Sequence, residues 1–183
     1  ADGRQVAFSS YATNRGGHTT GDTDVYVRDL VDNTTTLVSR ATGAGGALAD
    51  DSSYAPSISA DGKHVAFKSV ADNLGGHADL FTADVYVRDL VGHTTTLVSR
   101  ATGASGALAD GSSSGPAISG DGRYVAFDTI AQNLGDHATG MSGDVYVRDV
   151  SGATTTLVSR GTGVSGAVGD DYSAQPAISA DGR

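Results

Sequence analysis

The sequence predicts an all-β protein built from repeated four-stranded antiparallel sheets, and three observations carry this prediction. The 183-residue chain repeats itself with a period of 60 residues, so that Asp24, Asp84 and Asp144 hold equivalent places. Val, Thr, Ser, Gly and Asp dominate the composition and glutamate is absent, which favours strands and tight turns over helices. An Asp-Gly dipeptide, which is a strong signal for a two-residue hairpin turn, recurs in each period.

Each period contains four strand candidates, which are clearest in the middle of the chain. A first strand at 55–59 (APSIS) is followed by the Asp61-Gly62 turn and by a second strand at 64–69 (HVAFKS). The third strand is predicted at 84–90 (DVYVRDL) and the fourth at 94–99 (TTTLVS). Apolar or small side chains fall on both faces of these strands, as expected in sheets that are covered on both sides.

Four antiparallel strands that repeat radially form the blades of a β-propeller, which is the fold class that this repeat predicts. A β-solenoid is the alternative, although solenoid repeats are usually shorter and do not need a hairpin in every unit. The segments "PSISADGKHVAFKS", "DVYVRDL" and "TTTLVSR" resemble the TolB-like (WD-like) propeller repeat. The longer form, with "VSRATG" and "NLGG", resembles repeats of secreted actinobacterial proteins. This resemblance covers the whole chain and implies an extracellular or periplasmic protein.

The chain is predicted to be one propeller segment, 1–183, with three blade equivalents. These are strands two to four of a blade (1–40), two full blades (55–100 and 115–160) and a lone first strand (175–183). Propellers contain ~4–8 blades, so three blade equivalents do not close a ring. Ring closure is therefore expected to need further blades from outside this chain.

Two sheet edges are predicted to lack a partner within the chain. They are formed by Val6, Ala7 and Phe8 at one edge, and by Pro176, Ala177, Ile178 and Ser179 at the other. Unpaired edges seek partners, so we expect head-to-tail pairing with another copy that closes the ring by oligomerisation. A homodimer with six blades is favoured, because the resemblance implies six, and a homotrimer with nine is next. The alternative is a fragment of a longer single-chain propeller.

The formal net charge of -9 bears on the partners that the chain can have. A strongly acidic surface repels nucleic acid and anionic membranes, so neither is an expected partner. No apolar run approaches the ~20 residues of a membrane-spanning helix. Cysteine is absent, so neither disulfides nor thiol chemistry are available. Cations, basic proteins and neutral ligands such as sugars remain compatible with this charge.

Recognition is expected at the long loops, which an up-and-down blade collects on one face of the ring. They are the loops between the second and third strands and the loops between blades. The candidate binding residues on this face are three histidines and three repeated aspartates: His18, His77, His137, Asp50, Asp110 and Asp170. The expected ligand is a protein or a carbohydrate.

Several repeated charged residues also have a structural interpretation. Repetition of Asp24, Asp84 and Asp144, and of the Asp50 set, favours a role in accepting backbone N–H groups. A second repeated set is predicted to make ion pairs or hydrogen bonds between blades, and comprises Arg28, Arg88 and Arg148.

No metal, cofactor or catalytic residue is predicted. Zinc needs ligands within ~2.1 Å of one point, and equivalent histidines of neighbouring blades are too far apart for that. Calcium is the alternative, but the D-x-D-x-D-G loop is missing. The string "GSSSG" (111–115) fits a G-x-S-x-G motif, yet it precedes a strand and does not form a strand–elbow–helix.

These observations predict a non-enzymatic propeller that binds other molecules or acts as a scaffold. One alternative is the propeller domain of a larger secreted hydrolase, whose catalytic domain lies outside this chain. Another is a lectin-like ring with repeated sugar sites. Propeller repeats serve binding, assembly and enzyme gating alike, so the repeat alone does not separate these alternatives.

Overall fold

A computed structural model describes residues 3–18, 21–77, 82–136, 143–163 and 165–182. The described strands form three antiparallel sheets, each in simple up-and-down order. Blade 1 contains β1 (Gln5–Ser10), β2 (Asp24–Asp29) and β3 (Thr35–Leu37). Blade 2 contains β4 (Ser53–Ile58), β5 (His64–Ser69), β6 (Asp84–Asp89) and β7 (Thr94–Leu97). Blade 3 contains β8 (Ser113–Ile118), β9 (Tyr124–Thr129), β10 (Asp144–Asp149) and β11 (Thr154–Leu157).

Helical structure in the described ranges is limited to two 3-10 turns, Thr13–Arg15 and Asp72–Leu74, which follow the second strands of blades 1 and 2. None of these described residues forms a helix with the length and hydropathy needed to cross a lipid bilayer. The prediction of an all-β fold with four-stranded antiparallel blades is confirmed for blades 2 and 3. Among the described residues, the sheet of blade 1 contains three strands, β1, β2 and β3.

The Asp-Gly hairpins form because the aspartate organises the turn through its side chain. Asp61 Oδ1 accepts hydrogen bonds from the Ser59 hydroxyl at 2.6 Å and from the Lys63 N–H at 3.0 Å. Gly62 follows with a φ of 70°, which a residue without Cβ adopts freely. The N–H of Ser59 donates to the carbonyl of His64 at 2.9 Å, so four residues, 60–63, join β4 to β5 and the predicted two-residue turn is wrong.

The first strand of each full blade contains a β-bulge that the sequence pattern does not predict. The register between β4 and β5 shifts between Tyr54 and Ser57, and Ala55 has a φ of 49°. Gly115 adopts the same conformation in β8, with a φ of 59°. The bulge explains why β4 begins at Ser53, two residues before the predicted start.

The hydrophobic core lies between the blades. One cluster joins Val25 and Val38 of blade 1 to Val65 and Phe67 of blade 2. A second cluster joins the equivalent residues of blades 2 and 3. Each fully buried Val or Phe contributes about 1.5–3 kcal/mol relative to an exposed position, so the contacts between sheets supply much of the stability.

The terminal segment, which we define as residues 172–182, follows the path of a first strand but is not part of a sheet within this chain. The N–H of Ser173 donates to the carbonyl of Gly143 at 2.7 Å, as Ser113 does to Ala83 one blade earlier. Its Ala180 carbonyl accepts a hydrogen bond from Gly120 at 2.8 Å. These bonds place the terminal segment beside blade 3 in the way that β8 lies beside blade 2.

Candidate functional site

An arginine crosses each internal junction between blades. Arg88 in β6 donates to the carbonyl oxygens of Ala41 and Gly43, in the loop after blade 1, at 3.0 and 2.9 Å. Arg148 in β10 makes the same two bonds one blade later, at 2.9 and 3.0 Å. Burial lowers the pKa of both arginines, yet a guanidinium remains protonated at neutral pH because its ordinary pKa is so high. The predicted bonds between blades are therefore confirmed for Arg88 and Arg148.

A reciprocal clamp between an aspartate and an asparagine closes the long-loop side of the first junction. The Oδ1 of Asp50 accepts hydrogen bonds from the backbone N–H groups of Asp72 and Asn73, at 2.8 and 3.3 Å. In return, Asn73 Oδ1 accepts from the N–H of Asp50 at 3.2 Å, and its Nδ2 donates to the carbonyl of Leu48 at 2.6 Å. Asp50 thus joins the loop after blade 1 to the 3-10 turn of blade 2.

The second junction contains the same clamp. Asp110 Oδ1 accepts from the N–H of Gln132 at 2.7 Å, and the N–H of Asp110 donates to Asn133 Oδ1 at 3.1 Å. Asn133 Nδ2 donates to the carbonyl of Leu108 at 2.7 Å. Asp170 holds the equivalent place after blade 3, where it is exposed. Asp50 and Asp110 therefore lie at the two internal blade junctions, and a ligand-binding role for the three predicted aspartates stays a prediction.

The two predicted histidines that the structure describes bind to buried carboxylates of their own blade. Asp24 accepts a hydrogen bond from the N–H of His18 at 2.6 Å and lies 3.2 Å from its Nδ1. Asp84 repeats both contacts with His77, at 2.8 and 3.1 Å. His137 lies outside the described residues. His18 and His77 thereby anchor their long loops to the sheet, and a ligand-binding role for them stays a prediction.

The buried carboxylates are completed by serine hydroxyls and raise the pKa of neighbouring tyrosines. The Ser39 hydroxyl donates a hydrogen bond to Asp24 at 2.9 Å. In the same way, Ser99 donates to Asp84 at 2.7 Å and Ser159 to Asp144 at 2.8 Å. Burial, followed by the charge of Asp144, raises the pKa of Tyr146 to about 12. Burial and Asp84 likewise raise the pKa of Tyr86. Both tyrosines are therefore neutral at physiological pH.

The leading face of the chain is the side of blade 1 that has no neighbouring blade, and we define it by Val6, Phe8, Asn14 and Arg28. Val6 is 46% exposed, whereas its counterparts in β5 and β9 are fully buried between blades. Arg28 donates to the carbonyl and the side-chain oxygen of Asn33 in its own turn, at 2.5 and 3.0 Å. The predicted edge residues Val6 and Phe8 thus belong to an uncovered surface, and Ala7 lies between them.

The trailing face is the far side of blade 3, and we define it by Val158, Asp170 and the terminal segment. Val158 is 46% exposed, whereas its counterparts Val38 and Val98 are fully buried. A cavity of about 730 Å³ separates the terminal segment from blade 3, with Val147, Val158 and Ile178 in its lining. The predicted edge residues Pro176, Ala177, Ile178 and Ser179 line this cavity.

The sequence reasoning missed Asn14, Asn73 and Asn133. Each occurs in an N-x-G sequence shortly before one of the histidines. The repetition of this sequence was visible, but its importance was assigned to the histidines and not to the asparagines. The described ranges contain no group of three or more His or Asp side chains arranged to hold a metal ion. Calcium binding stays an alternative.

No protein-family model matches the sequence, and the comparison with curated proteins gives no match. Solved structures do match. The β-propeller domain of the Trilobed protease from Pyrococcus furiosus is 13% identical with a TM-score of 0.54, over 85% of this chain and 39% of that one. The tricorn protease is 16% identical with a TM-score of 0.55, over 98% of this chain and 13% of that one.

TolB proteins, whose repeat the sequence resembles, are also among the structural matches. A putative TolB from Agrobacterium tumefaciens is 16% identical with a TM-score of 0.49, over 85% of this chain and 45% of that one. The chain spans less than half the length of each of these proteins. At these identities the likeness shows the fold and no activity. The chain therefore has the fold of a β-propeller.

Proposed function

We propose that this chain is a non-enzymatic β-propeller module that joins a second copy of itself head-to-tail. The leading face of one copy packs on the trailing face of the other, and two copies close a ring of six blades. The observation that carries this proposal is the exposure of Val6 and Val158, at 46% each, where every equivalent valine is buried at a blade junction. Each face presents one half of a core that the chain already builds twice.

The backbone of the terminal segment supports this proposal. Gln175 has a φ of 56°, which matches Ala55 and Gly115 at the bulges of β4 and β8. A non-glycine residue rarely adopts this conformation without a structural reason. The terminal segment therefore carries the bulge of a first strand before any second strand lies beside it. Such preorganisation reduces the entropy that is lost when the segment pairs.

The internal junctions define the register expected between copies. Ser53 pairs with Ser69 and Ile58 with Val65 in blade 2. The equivalent pairs between copies are Ser173 with Ser10, and Ile178 with Val6. Completing the burial of each half-exposed apolar side chain contributes roughly 1 kcal/mol, and a closed dimer contains two junctions. Two junctions offset the association entropy better than one, so closure is favoured over an open chain.

Disulfide trapping tests the proposal, because the chain contains no cysteine of its own. The hydroxyl oxygens of Ser53 and Ser69 are 2.9 Å apart, so side chains at these positions are close enough for a bridge. The double variant Ser10→Cys with Ser173→Cys should oxidise to a covalent dimer, seen on a non-reducing gel. A covalent trimer would indicate nine blades, and failure to link would contradict the proposal.

The matched control shifts one cysteine by a single position. Ser9 precedes Ser10 in β1, and successive side chains of a strand point to opposite faces. The double variant Ser9→Cys with Ser173→Cys should therefore remain largely unlinked under the same oxidation. Equal linking of both double variants would indicate random collision and would count against a defined register.

The ligand of the assembled ring is proposed to be a protein or a carbohydrate, bound on the long-loop face. The support for this is topological, because the long loops of all blades lie on one side of a rigid scaffold. The resemblance to secreted repeat proteins supports an extracellular or periplasmic location. A glycan array with and without added calcium tests the carbohydrate class and the calcium alternative together. Signal on neither array would leave a protein as the ligand.

A second candidate is the propeller domain of a larger hydrolase. It is favoured by the names of structural neighbours, which include the Trilobed and tricorn proteases. Under this candidate, the two faces would be covered by other blades of one longer chain. The 183-residue protein would then fail to form the covalent dimer described above, which separates the two candidates.

A further inference from the structure

We propose that Asn14 of one copy and Asp170 of the next form a polar clamp that fixes the register of assembly. This inference rests on the proposed head-to-tail pairing and goes beyond it, because it assigns the specificity of the junction to one pair of side chains. Apolar contacts alone tolerate a strand slipped by two residues, since such a slip keeps the same side chains on each face. A clamp with fixed hydrogen-bond donors and acceptors does not tolerate such a slip, because its bonds form in one register.

The two internal clamps supply the template. In each, one aspartate oxygen accepts a backbone N–H from the 3-10 or loop segment of the next blade, at 2.8 Å for Asp50 and 2.7 Å for Asp110. In each, the asparagine returns two hydrogen bonds to the loop that carries the aspartate. Asn14 is the counterpart of Asn73 and Asn133, and Asp170 is the counterpart of both aspartates.

The aspartate half of the clamp already has its binding conformation. A backbone bridge between Arg160 and Val168 holds the loop after blade 3, as equivalent bridges do after blades 1 and 2. The N–H of Gly169 donates to the carbonyl of Ser159 at 3.0 Å, which repeats the bond from Ala49 to Ser39 at 3.0 Å. Asp170 is thus presented on the same backbone as Asp50.

The asparagine half lies on a similar turn, although Asn14 itself has φ -96° and ψ 18°, outside the helical range of a regular 3-10 turn. Asn14 lies in the 3-10 turn Thr13–Arg15, which follows β1 as Asp72–Leu74 follows β5. Ala12 precedes this turn with φ -75° and ψ 121°, close to the φ -72° and ψ 136° of Ala71 before the second turn. Asn14 is exposed, and among the described residues its side chain makes none of the bonds that Asn73 makes. Both halves therefore lie close to the conformation of the internal clamps, and pairing requires a local adjustment of the backbone at Asn14.

The chemistry of the pair explains why it selects one register. The amide of asparagine offers a donor and an acceptor, while the carboxylate offers acceptors alone. Asn14 would bond the N–H of Asp170 and the carbonyl of Val168, and Asp170 would accept the N–H of Asn14. A slip of two residues moves the partners several ångströms apart and breaks all of these bonds.

Sedimentation of alanine variants tests the clamp on the whole 183-residue chain. Removing bonds to a carboxylate at an exposed junction should weaken each junction about tenfold. A closed dimer contains two junctions, so Asp170→Ala should raise the dimer dissociation constant about a hundredfold. Asn14→Ala should do the same. The combined variant should be little weaker than either single one, because both remove the same clamp.

Asp171→Ala is the matched control. The Oδ1 of Asp171 accepts the N–H of the next residue, Tyr172, at 2.7 Å, and it has no role in the clamp. This variant should therefore dimerise like the parent, and circular dichroism should show that all variants fold.

The outcomes separate the clamp from the proposed function. Parent-like dimerisation of Asn14→Ala and Asp170→Ala would overturn the clamp while head-to-tail assembly stands. Equal weakening by Asp171→Ala, or strictly additive effects of the two clamp variants, would also overturn it. A parent chain that is monomeric at every concentration would overturn both the clamp and the assembly on which it rests.

Discussion

The guanidinium of Arg88 donates a hydrogen bond at 2.9 Å to the carbonyl oxygen of Gly43, which lies in the loop between blade 1 and blade 2. Its second nitrogen binds the carbonyl of Ala41 at 3.0 Å. One side chain therefore ties the third strand of a blade to the loop that leaves the preceding blade. Because Arg148 repeats the arrangement, the bond is a property of the junction and not of one blade.

Replacing this arginine should destabilise the fold. Arg88→Lys keeps the charge but loses the fork that reaches two carbonyl oxygens, so we expect a loss of roughly 2 kcal/mol in the free energy of unfolding. Urea denaturation followed by circular dichroism measures it. Arg123→Lys is the control, because Arg123 makes an exposed ion pair with Asp149 and should change stability by less than about 0.5 kcal/mol. Equal effects of the two variants would contradict the structural role of Arg88.

The buried carboxylate of Asp84 should be equally hard to replace. It accepts hydrogen bonds from the His77 N–H and from the Ser99 hydroxyl. Asp84→Asn places amide hydrogens against these donors, so we expect a loss of roughly 2–3 kcal/mol in the free energy of unfolding. The exposed Asp72→Asn should stay within about 0.5 kcal/mol of the parent. If Asp84→Asn leaves the free energy of unfolding unchanged, the carboxylate does not hold the loop that carries His77.

Two adjacent glycines give a prediction about close packing of the backbone. A Cβ on Gly46 would overlap the carbonyl oxygen of Ala41, whereas a Cβ on Gly45 would meet nothing within 4 Å. Gly46→Ala should therefore lower the free energy of unfolding by more than about 2 kcal/mol, because the neighbouring backbone must move. Gly45→Ala should be neutral or slightly stabilising. Thermal melting compares the two, and similar melting temperatures would contradict the packing described for this loop.

Acid should weaken the fold in a defined pH range. Hydrogen bonds from the N–H of Asp32 above all, with help from Arg4, lower the pKa of Asp29 to about 2. The Arg123 guanidinium does the same for Asp149, whose pKa is also about 2. A pKa that is lower in the folded state gives stability that is present above the unfolded value of 3.8 and is lost as the pH falls towards 2.

The measurement is the melting temperature between pH 5 and pH 2, values that bracket this window. The parent should lose stability gradually as the pH falls, because the arginine partners of both carboxylates are exposed and solvent screens these pairs. The double variant Asp29→Asn with Asp149→Asn should begin less stable and should show a shallower decline. Identical slopes for parent and variant would contradict the assignment of acid sensitivity to these two carboxylates.

The strands were predictable where the residue pattern alone decides the structure. The second strand was predicted at 64–69, and β5 has those bounds. The first strand was predicted two residues too short at its start, because the bulge at Ala55 depends on the register of the partner strand. The fourth strand ends at Leu97 and not at the predicted Ser99, since the N–H groups of Val98 and Ser99 both turn to the carbonyl of Val85.

The site was predictable in part, for a related reason. Edge residues such as Val6 follow from counting strands, and repetition marked Asp50 and Arg88 as structural. Their partners did not follow from the sequence. Asn73 meets Asp50 across 23 positions, and Arg88 meets Gly43 across 45. Such pairs depend on how one sheet packs on the next. The 60-residue repeat of the sequence predicts the strands but not this packing.

The solution mass of the 183-residue chain tests the central claim most directly. Light scattering coupled to gel filtration, over a range of concentrations, reports whether the leading and trailing faces cover each other. The account predicts a discrete particle of about 37 kDa, twice the 18.3 kDa of one chain, that dissociates on dilution. A folded particle of 18.3 kDa at every concentration would contradict it.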